Sequence, residues 1–155
     1  MKLSMQGAAP TRRLWNRPTW LLNHLAGSGR RVLGDQVGPA FERNKYGILA
    51  ALADGGAASQ SALSSRTGQD RGDLVAMLDK LEAEGLVTRT PDPSDRRNKR
   101  VEMTKLGFSE LKRLDKLVAE AQNILLAPLT QDERAEFLRL MKSLLIHHEN
   151  YQDPG

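Results

Sequence analysis

Arginine and lysine side chains are concentrated at residues 89–100 of this 155-residue chain, in the segment RTPDPSDRRNKR. Pro91 and Pro93 stand there among turn-forming aspartate and serine residues, so we expect a stiff, turn-rich projection. Guanidinium and ammonium groups donate charge-assisted hydrogen bonds to phosphates and to base edges. The formal net charge of +4 also fits a polyanionic partner. The chemistry that this basic cluster predicts is therefore recognition of a polyanion.

The remaining residue types do not indicate catalytic or metal-binding chemistry. The chain has no cysteine, which excludes disulfides, thiolate catalysis, thiol-based redox sensing and cysteine-ligated zinc. Its three histidines are His24 and the adjacent pair His147 and His148, which lack the i, i+4 spacing of metal ligands on a helix. No nucleophile elbow, phosphate-binding loop or paired-carboxylate motif is present. We expect a protein that is not an enzyme and needs no cofactor.

The hydrophobic pattern argues against a membrane or exported protein. No stretch approaches the roughly 20 apolar residues that span a bilayer. The N-terminus lacks the apolar run of a secretory signal. We therefore expect a cytoplasmic protein with no membrane partner.

The elements around the basic cluster are predicted to be mostly helical. We expect a loose tail over residues 1–13, a first helix over 19–33 and a second over 41–53. A break near residues 34–39 separates the two helices, because glycine and proline are frequent there.

The next segment predicts a helix-turn-helix. Ser59 can cap a short helix, Gly68 can form a tight turn, and Asp70 can cap a longer helix over residues 71–84. The longer helix is amphipathic, because its apolar residues follow i, i+3, i+4 and i+7 spacing. These residues are Leu74, Met77, Leu78 and Leu81.

Two short strands, residues 86–89 and 99–103, are predicted to form a β-hairpin that carries the basic segment at its tip. Thr104 can cap a long helix, and Thr130 with Glu133 forms a capping box for a last helix. A hairpin directly after a helix-turn-helix is typical of the winged variant. The apolar stripes of the long terminal helices favour a dimer interface.

We therefore predict a mainly α fold: a winged helix-turn-helix with a small antiparallel β-wing and N- and C-terminal dimerisation helices. The predicted order is an N-terminal tail, dimerisation helices, a DNA-binding lobe, further dimerisation helices and a C-terminal tail. Their bounds are 1–17, 18–54, 55–103, 104–149 and 150–155.

This arrangement predicts contacts to double-stranded DNA. Arg71 could read a guanine edge in the major groove, and Asp73 could accept from a cytosine amino group or fold back onto the helix start. An arginine of the hairpin tip could enter the minor groove, with Asp95 holding Arg97 by an ion pair. The predicted DNA-binding residues are Ser59, Gln69, Arg71, Gly72, Asp73, Val75, Ala76, Lys80, Asp95, Arg96, Arg97 and Lys99.

The first helix carries a candidate small-molecule site. Trp20 and His24 are i, i+4 neighbours, and Arg17 stands one turn before Trp20. An aromatic wall beside a cation and an imidazole would suit an aromatic carboxylate effector. Alternatively, Trp20 belongs to the dimer core and Arg17 is a surface charge. The predicted effector-binding residues are Asn16, Arg17, Trp20 and His24, with Arg43 and Tyr46 of the second helix completing the pocket.

Three segments resemble the multiple-antibiotic-resistance regulator (MarR) family: residues 78–89, LDKLEAEGLVTR; residues 92–101, DPSDRRNKRV; and residues 103–107, MTKLG. They are similar to that family's run from a recognition helix through the wing into a long helix. Asp95 and Arg97 match its Asp-x-Arg wing-tip pattern. The likeness covers most of residues 18–148. The wing match is specific, whereas the flanking helices match only in length and pattern.

The resemblance implies a homodimer that binds a near-palindromic operator, usually as a repressor. Many members of the family release DNA when a small aromatic or phenolic acid binds between the dimer region and the DNA-binding lobe. The resemblance also implies that the helix with Trp20 borders the effector pocket. At Asp73 and Ala76 the chain departs from the serine or threonine and the arginine frequent at those positions, so no operator sequence is carried over.

We interpret the sequence as that of a ligand-responsive DNA-binding transcriptional regulator. Two alternatives remain open on the residues alone. One is a constitutive winged-helix DNA binder without a small-molecule effector, and the other is a winged-helix module that binds protein.

Overall fold

The computed structural model describes residues 10–150 apart from the side chain of Phe41, so residues 1–9 and 151–155 of the two predicted tails lie outside the described residues. The chain divides into two compact units, with the boundary after Ala121. Within residues 10–150, no helix combines the length and the apolar character needed to cross a membrane.

Three helices begin the first unit: α1, Arg12–Trp15; α2, Pro18–Val37; and α3, Ala40–Gly55. The first two residues of α1, Arg12 and Arg13, were predicted to belong to a loose tail, and that prediction is wrong at these two residues. The short helix forms because the side chain of Thr11 caps it and accepts a hydrogen bond from the backbone N–H of Leu14 at 3.4 Å.

Helix α2 extends into the predicted break near residues 34–39. Its last residue, Val37, is buried in the hydrophobic core, and this contact stabilises a final turn that glycine-rich sequence alone does not favour. Gly38 follows as the cap of the helix, and its φ of 114° is a conformation that favours glycine.

The helix-turn-helix is confirmed as α4, Gln60–Thr67, and α5, Arg71–Ala83. Both predicted caps are present, because Ser59 and Asp70 accept hydrogen bonds from backbone N–H groups of the first turns at 3.1 and 2.8 Å. Gly68 turns the chain between the helices with a φ of 68°. Short-range rules therefore account for this part of the fold.

A three-stranded antiparallel sheet follows, with strand order β1-β3-β2. The hairpin strands β2, Val87–Pro91, and β3, Lys99–Met103, were predicted, and they form the wing together with the connecting residues 92–98. Strand β1, Ala58–Ser59, was not predicted, because two small residues carry no strand pattern of their own. Its pairing with β3 attaches the wing to the start of α4.

The core of the first unit is built from aliphatic side chains of α3, α4, α5, the sheet and α6. The apolar face of α5 is the largest contribution from one element, as its predicted pattern requires. The largest side chains that are under 2 % exposed are those of Ile48, Leu49, Leu63, Leu74, Leu78, Leu81, Val87, Val101 and Leu114.

The junction between the wing and α6, Lys105–Leu125, depends on Thr104. Its hydroxyl donates to the carbonyl of Gly85 at 2.6 Å and accepts from the N–H of Gly107 at 3.0 Å. Its backbone N–H donates to the carbonyl of Leu86 at 3.0 Å. One threonine therefore ties the end of α5 to the start of α6.

The second unit contains the last turn of α6 and helix α7, Gln131–Glu149. The predicted capping box of Thr130 and Glu133 is confirmed, with both reciprocal hydrogen bonds present. Arg134 stabilises the turn between the helices, because its Nε donates to the carbonyls of Leu126 and Leu129 at 3.1 and 3.2 Å.

Gly107→Ala should destabilise the protein by about 1–3 kcal/mol, the usual cost of forcing an extra carbon into a packed site. The added Cβ would collide with the carbonyl oxygen of Leu86 and come within 2.6 Å of Met103 Cγ. Gly47→Ala is the matched control, because its Cβ meets no atom within 4 Å and should stabilise α3 by about 0.5–1 kcal/mol. Urea unfolding measures both, and equal stabilities of the two variants would contradict this account.

Candidate nucleic-acid interface

Helix α5 presents one buried face and one exposed face. Leu74, Leu78 and Leu81 anchor the buried face in the core. The six predicted α5 residues of the DNA-binding set lie outside this buried face, and all are exposed to solvent. These residues are Arg71, Gly72, Asp73, Val75, Ala76 and Lys80. The packing of the leucines thus fixes a face that is free of bulky side chains near Gly72 and Ala76.

Arg71 lies at the start of α5 beside α4 and the wing. Its Nη2 is 3.3 Å from the hydroxyl of Ser61, which orients the guanidinium while leaving the residue exposed. The same side chain lines a small concavity of about 160 Å³ between the two helices and the wing residue Asn98. The first turn of α5 therefore lies close to the wing.

Two other residues that were predicted to contact DNA also form hydrogen bonds within the protein. Ser59 uses its hydroxyl to cap α4, and Gln69 is half-buried in the turn before α5. The backbone carbonyl of Gln69 accepts from the hydroxyl of Ser64 at 2.7 Å. Ser59 therefore fixes the start of α4, and Gln69 shapes the turn between the helices.

The wing tip, residues 92–98, is ordered by aspartate side chains that accept from nearby N–H groups. Asp92 Oδ1 accepts from the backbone N–H of Ser94 at 2.9 Å and from its hydroxyl at 2.6 Å. The hydroxyl bond, followed by the backbone bond, lowers the pKa of Asp92, so its carboxylate is charged at neutral pH.

The predicted ion pair between Asp95 and Arg97 is wrong. Asp95 instead accepts from the backbone N–H of Arg97 at 3.0 Å and from Nδ2 of Asn98 at 3.1 Å. A carboxylate two residues before an N–H closes a local turn more readily than it reaches the end of a long side chain. The exposed basic side chains at and beside the tip are Arg96, Arg97, Lys99 and Arg100.

A buried lysine that the sequence analysis missed holds the C-terminal end of α5. Lys45 of α3 is only 4 % exposed. Its Nζ lies 3.0 Å from Glu42 and from Glu110 of α6, and 3.6 Å from Glu84, which follows α5. The sequence did contain a signal for this site, because Lys45 lies beside the apolar residues of α3. A lysine that is buried with them requires carboxylate partners.

The charges of this cluster are stabilised by one another. Burial lowers the pKa of Lys45, but hydrogen bonds to Glu42 and Glu110 outweigh it, so the pKa is raised overall. A bidentate hydrogen bond from Arg113, joined by Lys45, lowers the pKa of Glu110 to about 2. Lys45 and Glu110 therefore both carry their charges at neutral pH, and the cluster ties α3, α6 and the end of α5 together.

The predicted effector-binding residues lie in separate groups. Asn16 and Arg17 line an open concavity of about 520 Å³ together with Arg12 and Arg13, which the sequence analysis did not single out. Trp20 and His24 stack on each other instead, with ring centroids 3.7 Å apart and an interplanar angle of 25°.

Arg43 and Tyr46 belong to α3, and within one protomer they do not join the Trp20–His24 pair of α2. Arg43 donates to the carbonyl of Gly38 at 2.9 Å and lies beside Gly34. Gly34 is ten residues beyond His24, which corresponds to about 15 Å along the helix axis. Burial, followed by the nearby carboxylate of α6, raises the pKa of Tyr46.

A short helix, a glycine turn, a second helix with one exposed face and a hairpin with a basic tip define a winged helix-turn-helix protein. The model of the MarR family matches residues 41–98. The chain is also 30% identical over 112 residues to the HTH-type transcriptional repressor NicR of Pseudomonas putida, covering 72% of this chain and 71% of that protein. This chain belongs to the MarR family.

Two further comparisons agree with this assignment. A protein of Thauera aromatica named for regulation of the hcr operon is 34% identical over 99 residues, which cover 64% of this chain and 60% of that protein. This chain therefore matches about three fifths of the Thauera protein. The PcaV transcriptional regulator from Streptomyces coelicolor, solved with its natural ligand, has a TM-score of 0.73 and 26% identity over 89% of this chain and 96% of that one.

Glu110→Gln should make the protein less stable at neutral pH and less sensitive to acid. The pKa of Glu110 is lowered from 4.5 to about 2 in the folded protein, so its ionised form stabilises the fold above pH 4.5. That contribution is lost as the pH falls from about 4.5 to about 2. Urea unfolding across this range measures the effect.

Glu136→Gln is the control, because Glu136 pairs with Arg139 at the same i, i+3 spacing but is exposed on α7. Its removal should change stability little at any pH. Parallel pH profiles for wild type and Glu110→Gln would contradict a stabilising role for the Lys45 cluster.

Proposed function

We propose that this protein is a ligand-responsive transcriptional repressor that binds a near-palindromic DNA operator as a homodimer. One observation is the main support for the proposal of DNA binding. The exposed face of α5 and the basic wing tip belong to one small lobe, and the Asn98 side of the wing lies beside the first turn of α5. A rigid helix and a cationic ribbon at fixed spacing suit neighbouring grooves of a duplex.

The residue types on α5 support major-groove entry. Gly72 and Ala76 allow close approach of the helix to the base edges. Arg71 can reach a guanine edge from its position at the N-terminal end, where recognition helices contact bases. Arg97 and its neighbours at the wing tip supply positive charge for the minor groove, where the negative potential of DNA is concentrated.

Exposed apolar side chains support a homodimer. In the first unit, Leu22 and Leu25 of α2 are exposed. In the second unit, none of the described residues of α7 is buried, although the helix is rich in leucine. Its exposed apolar residues are Leu138, Leu140, Leu144, Leu145 and Ile146. A two-fold dimer would present two α5 helices about 34–36 Å apart, which is one turn of DNA.

The relatives support repression and a response to a ligand. NicR is named as a repressor, and PcaV was solved in complex with its natural ligand. In this chain, Arg17 offers a guanidinium to a carboxylate, close in sequence to the stacked Trp20 and His24. We infer a small aromatic or phenolic acid as the effector class.

One observation favours the alternative of a constitutive DNA binder. Arg43 and Tyr46 do not converge with Trp20 and His24 within one protomer, so no single pocket contains all six predicted residues. A small acid would then contact only one of these groups unless a second protomer completes the site.

Arg97→Ala should weaken binding to every duplex, because the exposed tip arginine contacts the charged backbone or minor groove. Selection of random duplexes by the wild-type protein first provides the operator, which should be an inverted repeat. Loss of one phosphate contact should reduce the slope of log affinity against log salt by about 0.9. Fluorescence anisotropy on the selected duplex and a scrambled duplex measures both effects.

Arg71→Ala provides the contrast, because it should cost about 1–3 kcal/mol at one base position and leave the scrambled duplex unaffected. Arg139→Ala on α7 is the control for loss of an exposed arginine. Wild-type protein that selects no duplex, or an unchanged salt slope for Arg97→Ala, would contradict the assignment of the interface.

Arg17→Ala should abolish the response to effector while operator affinity stays unchanged. Loss of a charge-assisted hydrogen bond costs about 1.5–3 kcal/mol, or roughly ten- to hundredfold in ligand affinity, which removes the response at probe concentrations that just release the wild-type protein. Benzoate, salicylate and 4-hydroxybenzoate serve as probes. The two tryptophans of the chain, Trp15 and Trp20, both lie near Arg17 and report binding by fluorescence.

Arg30→Ala, an exposed arginine later on α2, is the matched control and should keep the response. An Arg17→Ala protein that still releases DNA on addition of a probe would remove Arg17 from the site. A wild-type protein that no probe releases would favour the constitutive alternative.

A further inference from the structure

Arg89 belongs to the basic cluster in the sequence, but its environment differs from that of the tip. It lies on β2 opposite Val101 of β3, and its side chain is only 10% exposed. Its guanidinium crosses from the wing to α5, where Nη2 lies 2.6 Å from Asp79 Oδ1 and 2.7 Å from Glu82 Oε2. The positive charge is therefore directed at the recognition helix.

Further hydrogen bonds make the contact to Glu82 directional. Arg89 donates through Nε to Glu82 Oε2 at 3.1 Å and through its backbone N–H to Oε1 at 3.2 Å. Both oxygens of one carboxylate are thus engaged by one strand residue. A planar guanidinium held in this way fixes orientation as well as distance, which a lysine would not do.

The position of this contact on β2 allows it to affect the placement of the wing tip. Arg89 lies in the middle of β2, and the rest of the strand and the wing tip continue beyond it. A tilt of the wing about this point is amplified at Arg96 and Arg97. A displacement of about 1 Å is enough to take a hydrogen bond outside its usual range.

We propose that Arg89 is a positioning residue that sets the angle between α5 and the wing, and thereby determines how well the protein distinguishes its operator from other DNA. This inference rests on the proposed DNA-binding function. Arg89 acts through Asp79 and Glu82, because its guanidinium is turned towards the helix. Sequence-specific binding needs helix and wing in register together, whereas non-specific binding depends mainly on phosphate charge.

The double variant Arg89→Met, Glu82→Gln tests this without changing the net charge. It removes one positive and one negative group and breaks the contact between wing and helix. Affinity for the selected operator should fall about tenfold, the loss expected of one mismatched base pair, while affinity for a scrambled duplex stays within about twofold. The ratio of the two affinities is a readout that a general loss of folded protein would not change.

The double variant Arg139→Met, Glu136→Gln is the matched control, because it removes the same residue types from an exposed ion pair on α7. It should leave the ratio unchanged. Asp79→Asn is a milder second variant, since Asp79 is 60% exposed and Glu82 still holds Arg89. It should lower the ratio by a smaller factor, even if the double variant fails to fold.

Equal losses for operator and scrambled duplex in both variants would overturn the proposal, because charge or stability would then explain them. An unchanged ratio in both variants would overturn it as well. A wild-type protein that fails to discriminate between the two duplexes would instead contradict the proposed function.

Discussion

The burial of the leucine face of α5 is the interaction on which the remaining structure depends. Leu74, Leu78 and Leu81 are almost fully removed from solvent. Burial of each such side chain contributes about 1.5–3 kcal/mol. Because burial of one face of α5 leaves the other face exposed, this packing also determines which residues of α5 are available for contact with a binding partner. The stability of the lobe and the composition of its candidate interface therefore have the same cause.

Polar contacts then fix the ends of α5 more narrowly than apolar packing can. Asp70 caps its start, and Lys45 holds Glu84 just beyond its last turn. Arg89 attaches the wing along its exposed flank. Apolar contacts tolerate small rotations, whereas charge-assisted hydrogen bonds lose strength steeply with distance and angle. The helix is thus supported by the core and oriented by ion pairs.

Local rules explain most of what the sequence could predict. The caps at Ser59, Asp70 and Thr130 were predicted because a cap and its partner are at most three residues apart. The basic residues of the tip were also identified correctly as exposed. Helix α1 and strand β1 were missed because each is shorter than the pattern that would identify it.

The partners of the ion pairs could not be predicted from the sequence. Arg89 and Arg97 are the same residue type in one basic segment, yet one contacts α5 and the other faces solvent. The difference is set by Glu82, which is seven residues away and reaches Arg89 only after the chain turns at Gly85. Lys45 likewise takes partners from three parts of the chain. Such contacts follow from tertiary structure, which spacing along the sequence does not specify.

The Lys45 cluster also constrains how an effector could act on DNA binding. Arg43 and Tyr46 lie on the same turn of α3 as Lys45, whose Nζ reaches Glu84 at the end of α5. Among the contacts of Lys45 to Glu42, Glu110 and Glu84, the one to Glu84 is the longest, at 3.6 Å, and the side chain of Glu84 is the most exposed of the three carboxylates. The pKa of Glu110 is lowered to about 2 and that of Lys45 is raised, so neither of these two groups titrates near neutral pH. A ligand bound at this turn would therefore have to move α5 by displacing α3, and the bond to Glu84 is the one that would yield first.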